Sequence, residues 1–374
     1  MSREALVLLV EDQPAMRETL RRMLEDDVRV LEAKSAEEAL ERAHGLRVDV
    51  AVIDLVLPGE DGFSLLAKMR KRPEQTDVIV ITGDAYDADE KLARALRGEA
   101  FYFLTKPFER IALRTLVSRC LHLRSLQSDL KRRNAELERD FRLAREFQSQ
   151  LLPPRRLRAG AAHLAALNRP CDELGGDFFD VRETPGGLFF LVADVVGHGV
   201  TAAMLAGMLA TTWARAVREG GDLEDIHQRL WEMVQEWDDE RYLTCFLGHV
   251  DREFSRLRWI AAGHPPALVV GANGGAEELA VEAPMISPAF PWLATAPSER
   301  RLAAGERVLV LTDGLPETRN TAGELFGWER VAEAIAAAPA EQALERLFEM
   351  AEAHRARRPR EDDLTALLLW RDKG

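Results

Sequence analysis

The apolar positions along this chain fall into three successive regimes. In the first, up to about residue 120, short β-rich runs alternate with amphipathic segments. Leu6–Val10, Val28–Glu32, Val48–Asp54, Val78–Thr82 and Phe101–Leu104 read as strands, several of them continuously apolar, as parallel strands covered on both faces must be. Pro14–Glu25 and Ala36–Ala43 place apolar residues at helical spacing between them. Strand and helix in alternation predict a doubly wound α/β fold with right-handed crossovers.

The second regime runs from about Ile111 to Leu152 and has no glycine or proline. Leu123, Leu126, Leu130, Leu137, Phe141, Ala144 and Phe147 recur at three- and four-residue steps with charged residues between them. This predicts one long helix with a narrow apolar seam, suited to a coiled-coil homodimer, although Arg133 and Asn134 interrupt the seam. Pro153-Pro154 ends it.

The third regime mixes strand and helix patterns. Leu164–Leu167, Phe178–Arg182, Leu188–Asp194, Tyr242–Val250, Arg256–Ala261, Arg307–Thr312 and Leu364–Trp370 read as strands. Val200–Val217, Leu223–Trp237, Trp328–Ala336 and Ala340–His354 read as helices. Their grouping predicts an α+β sandwich. The expected organisation is therefore multidomain: residues 1–122, a helical linker over 123–152, and residues 153–374.

Charge narrows the function. Lys and Arg number 50 against 63 Asp and Glu, a net charge of −13, which argues against a nucleic-acid partner. The basic cluster Lys131-Arg132-Arg133 lies on a mixed-charge helix with no turn-helix partner, so a DNA-reading output is not expected. Cys120, Cys171 and Cys245 form no metal or disulfide spacing. The N-terminus has no signal-peptide architecture and no apolar run approaches a membrane span, so a cytoplasmic protein is expected, with no membrane partner.

Open α/β sheets place their sites at the carboxyl ends of strands. There stand Glu11 and Asp12, then Asp54, Thr82 and Lys106. Three converging carboxylates repel one another unless a cation lies among them, and an oxygen-rich site of this kind suits Mg²⁺. Asp54 could then attack a phosphoryl group, with Lys106 pairing with it as a point charge and the Thr82 hydroxyl donating to it. The stretches VLLVEDQPAMR, VIDLVLPGEDG, VIVITGD and FYFLTKPF, in this order, closely resemble the response-regulator receiver family, over about residues 5–122. The resemblance implies a flavodoxin-like fold with Asp54 as phosphoacceptor. It further implies Mg²⁺ held by Glu11, Asp12 and Asp54, with Thr82 and Lys106 as switch residues. Pro107 matches the family's cis-prolyl position. Phe103 stands where the family has its rotating aromatic, without the hydroxyl common there.

Five pieces stand out in the third regime: Gly175-Gly176-Asp177-Phe178-Phe179-Asp180, Asp194-Val195-Val196-Gly197-His198-Gly199, Ala262-Gly263-His264-Pro265-Pro266, Thr312-Asp313-Gly314-Leu315 and Asp362-Asp363-Leu364-Thr365. Four put an aspartate beside a strand, three of them with glycine in the same motif, where backbone can approach a ligand. Such oxygen cages suit Mg²⁺ or Mn²⁺, and two such ions close together can lower the pKa of a shared water. No Ser-His-Asp triad or cysteine-centred phosphate loop competes. The set resembles the metal-dependent PPM phosphatases of the SpoIIE/RsbU branch, from about residue 145 to 371, including LAREFQSQLLPP as its preceding helix and linker.

That resemblance implies a PPM-type β-sandwich using two Mn²⁺ or Mg²⁺ ions and acting on phosphoserine or phosphothreonine in proteins. Asp194 would bridge the ions, the Val195 carbonyl would complete one shell, and Asp313 and Asp362 would bind the other ion. Asp177 would act largely through water, and Asp363 is the weaker candidate for a direct ligand. Val196 replaces a residue that is often small and polar in the family. His198 reads as a backbone-satisfying loop residue and His264 as a turn residue.

The two resemblances together imply a two-component output protein. A sensor histidine kinase would phosphorylate Asp54, and the linker helix would carry the change to the helices Val200–Val217 and Leu223–Trp237 beside the Asp194 loop. The implied substrate is a phosphoprotein of the anti-sigma-factor-antagonist type. The competing reading is a catalytically weak adaptor that binds its partner stoichiometrically.

Overall fold

A computed structural model describes residues 4–71, 76–83, 102–197, 199–237, 241–271, 274–279 and 281–371. The chain forms two compact units, Met1–Glu136 and Leu137–Gly374, with the division inside the helix Arg110–Leu151.

The first unit is built on five parallel strands: β1 (Leu6–Val10), β2 (Arg29–Ala33), β3 (Val50–Asp54), β4 (Asp77–Thr82) and β5 (Tyr102–Thr105), in the order β2-β1-β3-β4-β5. Alternate residues serve opposite faces. Leu8, Val10, Ala51, Ile53 and Val80 pack with Ala36, Ala39, Leu65 and Met69 of the helices Ala36–Arg42 and Gly62–Arg70. Val7, Leu9, Val50, Val52, Ile79 and Ile81 pack with Leu20 and Leu24 of Pro14–Leu24 and with Leu113, Val117 and Cys120. Each such aliphatic side chain contributes roughly 1.5–3 kcal/mol. The strand expected at Phe101–Leu104 runs one residue later, and Phe101 itself lies outside the described residues.

The second unit is a sandwich of two antiparallel sheets with helices outside both. One sheet has the order β14-β11-β10-β9-β8, from β8 (Phe178–Thr184), β9 (Gly187–Val195), β10 (Leu243–Asp251), β11 (Arg256–Ala262) and β14 (Ser298–Arg301). The other has the order β13-β12-β15-β16-β7-β6, from β6 (Arg156–Ala159), β7 (Ala162–Arg169), β12 (Leu268–Val270), β13 (Ala276–Glu278), β15 (Arg307–Leu311) and β16 (Leu364–Arg371). Phe179, Phe190, Phe246, Val310 and Leu367 fill the space between the sheets. Leu191, Ala193, Cys245 and Leu247 face the helices Val200–Arg218 and Leu223–Val234. Leu309, Leu311, Ala366 and Leu368 face Trp328–Ala337 and Ala340–Arg355.

The helix Val200–Arg218 corrects one expectation. By length and composition it is long and apolar enough to cross a membrane, contrary to the expectation that no apolar run approaches such a span. In this fold Ala206, Leu209, Trp213 and Ala216 bury one face of it against the sheet, the role of a core helix.

Candidate functional site

Parallel pairing aligns the strand ends of the first unit: Val10 lies beside Ile53, Asp54 beside Ile81, and Thr82 beside Thr105. That register brings Glu11, Asp12, Asp54, Thr82 and Lys106 to one edge. The Lys106 Nζ lies 2.6 Å from Glu11 Oε2 and 2.5 Å from Asp54 Oδ2. Asp54 Oδ1 accepts the Val56 N–H at 2.9 Å, and Arg17 donates to the Glu11 carbonyl at 2.8 Å. Glu11, Asp54 and Thr82 are buried. Burial raises the Glu11 carboxyl, opposed by its bond to Lys106, while the Asp54 charge adds to the rise. Burial works to lower the Lys106 ammonium, but its two carboxylate partners prevail and raise it. The Lys106–Pro107 peptide is cis, as its position implied. Phe103 is partly buried against the Leu8–Val80 face. The oxygen donors at this edge fit a hard divalent cation.

In the second unit, β8 and β9 pair with Phe178 opposite Ala193, which sets Asp177 level with Asp194. β15 and β16 pair with Leu311 opposite Ala366, so Asp313 leaves one strand where Asp362 and Asp363 enter the other. Gly314 makes that approach possible: a Cβ there would lie 2.0 Å from the Asp363 carbonyl oxygen. Gly176 lies equally flat on Val195, whose carbonyl oxygen would be 2.4 Å from an added Cβ.

The carboxylates perturb one another. Burial, then the charges of Asp194 and Asp363, push Asp177 well above the usual carboxylate range. Burial, with Asp313, Asp362 and Asp363 nearby, raises Asp194 to about 7. Partial desolvation, with Asp313 and Asp363 nearby, raises Asp362 to about 6, and desolvation also raises Asp313. Among the described residues, no three acidic, histidine or cysteine side chains already close to a single-ion ligand set. The donors are nevertheless hard oxygens whose mutual repulsion a divalent cation would relieve, so their chemistry fits Mg²⁺ or Mn²⁺.

Asp363 has a different task. It is buried and accepts the N–H groups of Cys171 (2.8 Å), Gly176 (2.8 Å) and Asp177 (3.3 Å). Its oxygens therefore organise the loop before β8.

Reading the motifs for aspartates alone passes over Thr312 and Thr365. Thr312 donates to Asp177 Oδ2 at 2.8 Å and accepts the Thr365 N–H at 3.2 Å. Both stand inside the quoted motifs, Thr312 directly before Asp313 and Thr365 two residues after Asp363, and those hydroxyls are the available signal. His264, read as a turn residue, is buried, with Nδ1 3.0 Å from the Thr244 hydroxyl and burial lowering it to about 3. His198 lies outside the described residues.

Comparison with known proteins finds relatives of both units. Residues 7–118 match the response regulator receiver domain, and residues 184–372 match the model of stage II sporulation protein E (SpoIIE). The SiaA-PP2C domain of Pseudomonas aeruginosa is similar in fold, with a TM-score of 0.57 and 24% identity, covering 64% of this chain and 98% of that one. The RsbU and RsbW domains of a Mycobacterium tuberculosis protein share 26% identity at a TM-score of 0.51, covering 57% of this chain and 61% of that one. Among curated proteins, the hydrogenase transcriptional regulatory protein HoxA of Cupriavidus necator is 33% identical over 152 residues, 40% of this chain and 31% of that protein. The Regulator of RpoS of Escherichia coli is 26% identical over 290 residues, 71% of this chain and 84% of that protein. The chain spans 31%, 28% and 36% of HoxA and of two further regulators, PilR and DctD of Pseudomonas aeruginosa. The receiver match spans Glu11 to Lys106, and the SpoIIE match spans Asp194, Asp313 and Asp362, beginning just after Asp177: the chain belongs to the SpoIIE family, its phosphatase-type domain fused behind a response-regulator receiver domain.

Proposed function

We propose that this chain is a two-component response regulator in which phosphorylation of Asp54 controls a metal-dependent phosphoserine/phosphothreonine protein phosphatase. One observation supports the enzymatic half above others: Asp177, Asp194, Asp313 and Asp362, from four separate stretches of chain, are all raised above the usual carboxylate range, by burial first and, at Asp177, Asp194 and Asp362, by the charges of neighbouring aspartates. Keeping such repulsion in a fold is costly unless cations use it. Asp194, Asp313, Asp362 and the Val195 carbonyl would hold two Mn²⁺ or Mg²⁺ ions, with Asp177 acting largely through water. Bound there, the ions supply charge neutralisation for a phosphate ester and an acidified water. The chain's own contribution is placement: Asp363 and Thr312 fix Asp177, and Gly176 and Gly314 admit the close approaches.

In the receiver, Glu11, Asp12 and Asp54 would hold Mg²⁺ while Asp54 accepts the phosphoryl group of a sensor histidine kinase. Lys106, already paired with Asp54, would turn to the phosphate, and Thr82 would donate to it. The apolar seam of the linker helix supports a homodimer, since Leu126, Leu130, Leu137 and Phe147 are 52–66% exposed. The substrate fitting the resemblance is a phosphorylated anti-sigma-factor antagonist in a partner-switching pathway.

The test is hydrolysis of para-nitrophenyl phosphate with Mn²⁺, comparing the chain with Asp313→Ala, with and without beryllofluoride. Activity abolished by the substitution and changed by beryllofluoride is expected. No turnover in any state, on this ester or on a phosphoprotein, would instead favour a stoichiometric adaptor.

A further inference from the structure

The last turns of the helix Arg110–Leu151 reach the loop before β8 through Gln148 and through Arg145, whose Nη1 lies 3.4 Å from Glu173 Oε2; Gln148 is the one that bonds main chain beside the carboxylates. Gln148 Nε2 donates to the Gly175 carbonyl at 2.8 Å, and its Oε1 faces the Gly175 N–H at 3.5 Å. A carboxamide carries a donor and an acceptor on two neighbouring atoms, so it can meet the C=O and the N–H of one residue, which a carboxylate or an ammonium group cannot. A glutamine near a helix end ordinarily meets water or its own helix; this one reaches a loop 27 residues away.

The loop it grips leads directly to the site. Gly175 is followed by Gly176, whose N–H is held by Asp363 and whose backbone lies against the Val195 carbonyl. Asp177 comes next, bonded to Thr312. Gly175 and Gly176 are therefore all that separates the Gln148 amide from two candidate donors, the Asp177 carboxylate and the Val195 carbonyl. A cavity of about 250 Å³ lies beside the loop, lined in part by Gln148, Leu152, Asn168, Gly175 and Asp177. Packing on that side leaves room for movement, so directional bonds must fix the loop. The helix end is itself anchored, because Leu152 packs against the apolar clusters on both faces of the β8–β9 sheet.

We infer that Gln148 is a positioning residue of this site: its amide holds the Gly175–Asp177 loop against Val195, so that the placement of the linker helix sets the order of the metal-binding oxygens. The inference rests on the metal-phosphatase reading for what the loop does, but the clamp itself does not require turnover.

The experiment uses the full chain with Gln148→Leu, Gln148→Glu and, as control, Ser149→Ala, whose hydroxyl bonds only the Glu146 carbonyl of its own helix. Mn²⁺ uptake is measured by calorimetry, with the Asp313→Ala chain as the blank for other sites, and amide hydrogen exchange is followed at Gly175, Gly176 and Asp177. Gln148→Leu should weaken Asp313-dependent Mn²⁺ binding roughly five- to tenfold and speed exchange in the loop. Gln148→Glu should behave alike, because its carboxylate faces the Gly175 carbonyl with no proton to give. Ser149→Ala should match the parent. In turnover, the Leu defect should appear as a higher Mn²⁺ requirement, relieved at saturating Mn²⁺. Parental loop exchange in Gln148→Leu would overturn the inference whatever the turnover shows. Altered exchange and Mn²⁺ binding in a chain that hydrolyses no phosphoester would sustain the clamp and sink the phosphatase reading instead.

Discussion

Thr312 donates its hydroxyl to Asp177 Oδ2 at 2.8 Å, which ties the end of β15 to the entry of β8 inside a buried site. The Thr312 hydroxyl oxygen in turn accepts the Thr365 N–H, so a single hydroxyl joins three segments of the sandwich. Thr312→Val keeps the shape and removes the link. It leaves a carboxylate oxygen and an N–H without their partner, costing about 1–3 kcal/mol. The variant should also need more Mn²⁺ for half-maximal phosphatase activity, which a metal titration of turnover would reveal; an unchanged requirement would mean that Thr312 does not orient Asp177.

The adjacent Asp362 and Asp363 should respond in opposite directions. Asp363 satisfies three main-chain N–H groups, so Asp363→Ala should lower stability by about 2–4 kcal/mol in EDTA. Asp362 lies toward solvent and is raised partly by neighbouring aspartates. Asp362→Asn removes part of that repulsion, so it should unfold in EDTA at the same or a slightly higher urea concentration than the parent. Its activity should fall by about a hundredfold or more. Equal destabilisation by both substitutions would contradict this division of labour.

The difference between those two aspartates was not legible in the sequence, because Asp363 is defined by N–H groups nearly two hundred residues away. What was legible had a strong local pattern. β1 has the bounds its apolar run predicts, and β3, β4, β8, β9 and β16 differ by one or two residues. The missed elements lacked such a pattern. β13 (Ala276-Glu277-Glu278) and β14 (Ser298-Glu299-Arg300-Arg301) are short, polar edge strands fixed by pairing with β12 and β11. The helix Gly62–Arg70 is weakly amphipathic and begins at Asp61, whose side chain accepts the Ser64 N–H. The helix Leu223–Val234 stops three residues short of Trp237, since a patterned run does not mark its own last turn.

In the receiver, Lys106 is the countercharge for two buried carboxylates. Lys106→Met should leave Glu11 and Asp54 repelling each other and destabilise the first unit by about 3 kcal/mol without metal. Mg²⁺ should restore much of that loss, because it replaces the missing charge, yet beryllofluoride should no longer alter turnover. Thermal melts with and without Mg²⁺ check the first claim, and the hydrolysis assay checks the second. Retained control by beryllofluoride would exclude Lys106 from the switch.

His227 gives stability a pH dependence of definite sign. It is buried on the helix Leu223–Val234, 4.9 Å from the Trp292 ring, and Nδ1 has no hydrogen-bond partner among the described residues. Burial lowers it from 6.5 to about 4. Between those values the unfolded chain takes up a proton that the folded chain refuses. The contribution is therefore complete above about pH 6.5 and declines as pH falls toward about 4, by up to about 3 kcal/mol. The raised aspartates of the candidate site oppose this slope, because they bind protons more readily when folded and favour low pH. A single profile would mix the two, so the informative quantity is the difference between the parent and His227→Phe. Urea unfolding at about pH 7 and about pH 5 should show the parent losing more stability than the variant on acidification. Parallel losses would mean that His227 is protonated inside the fold.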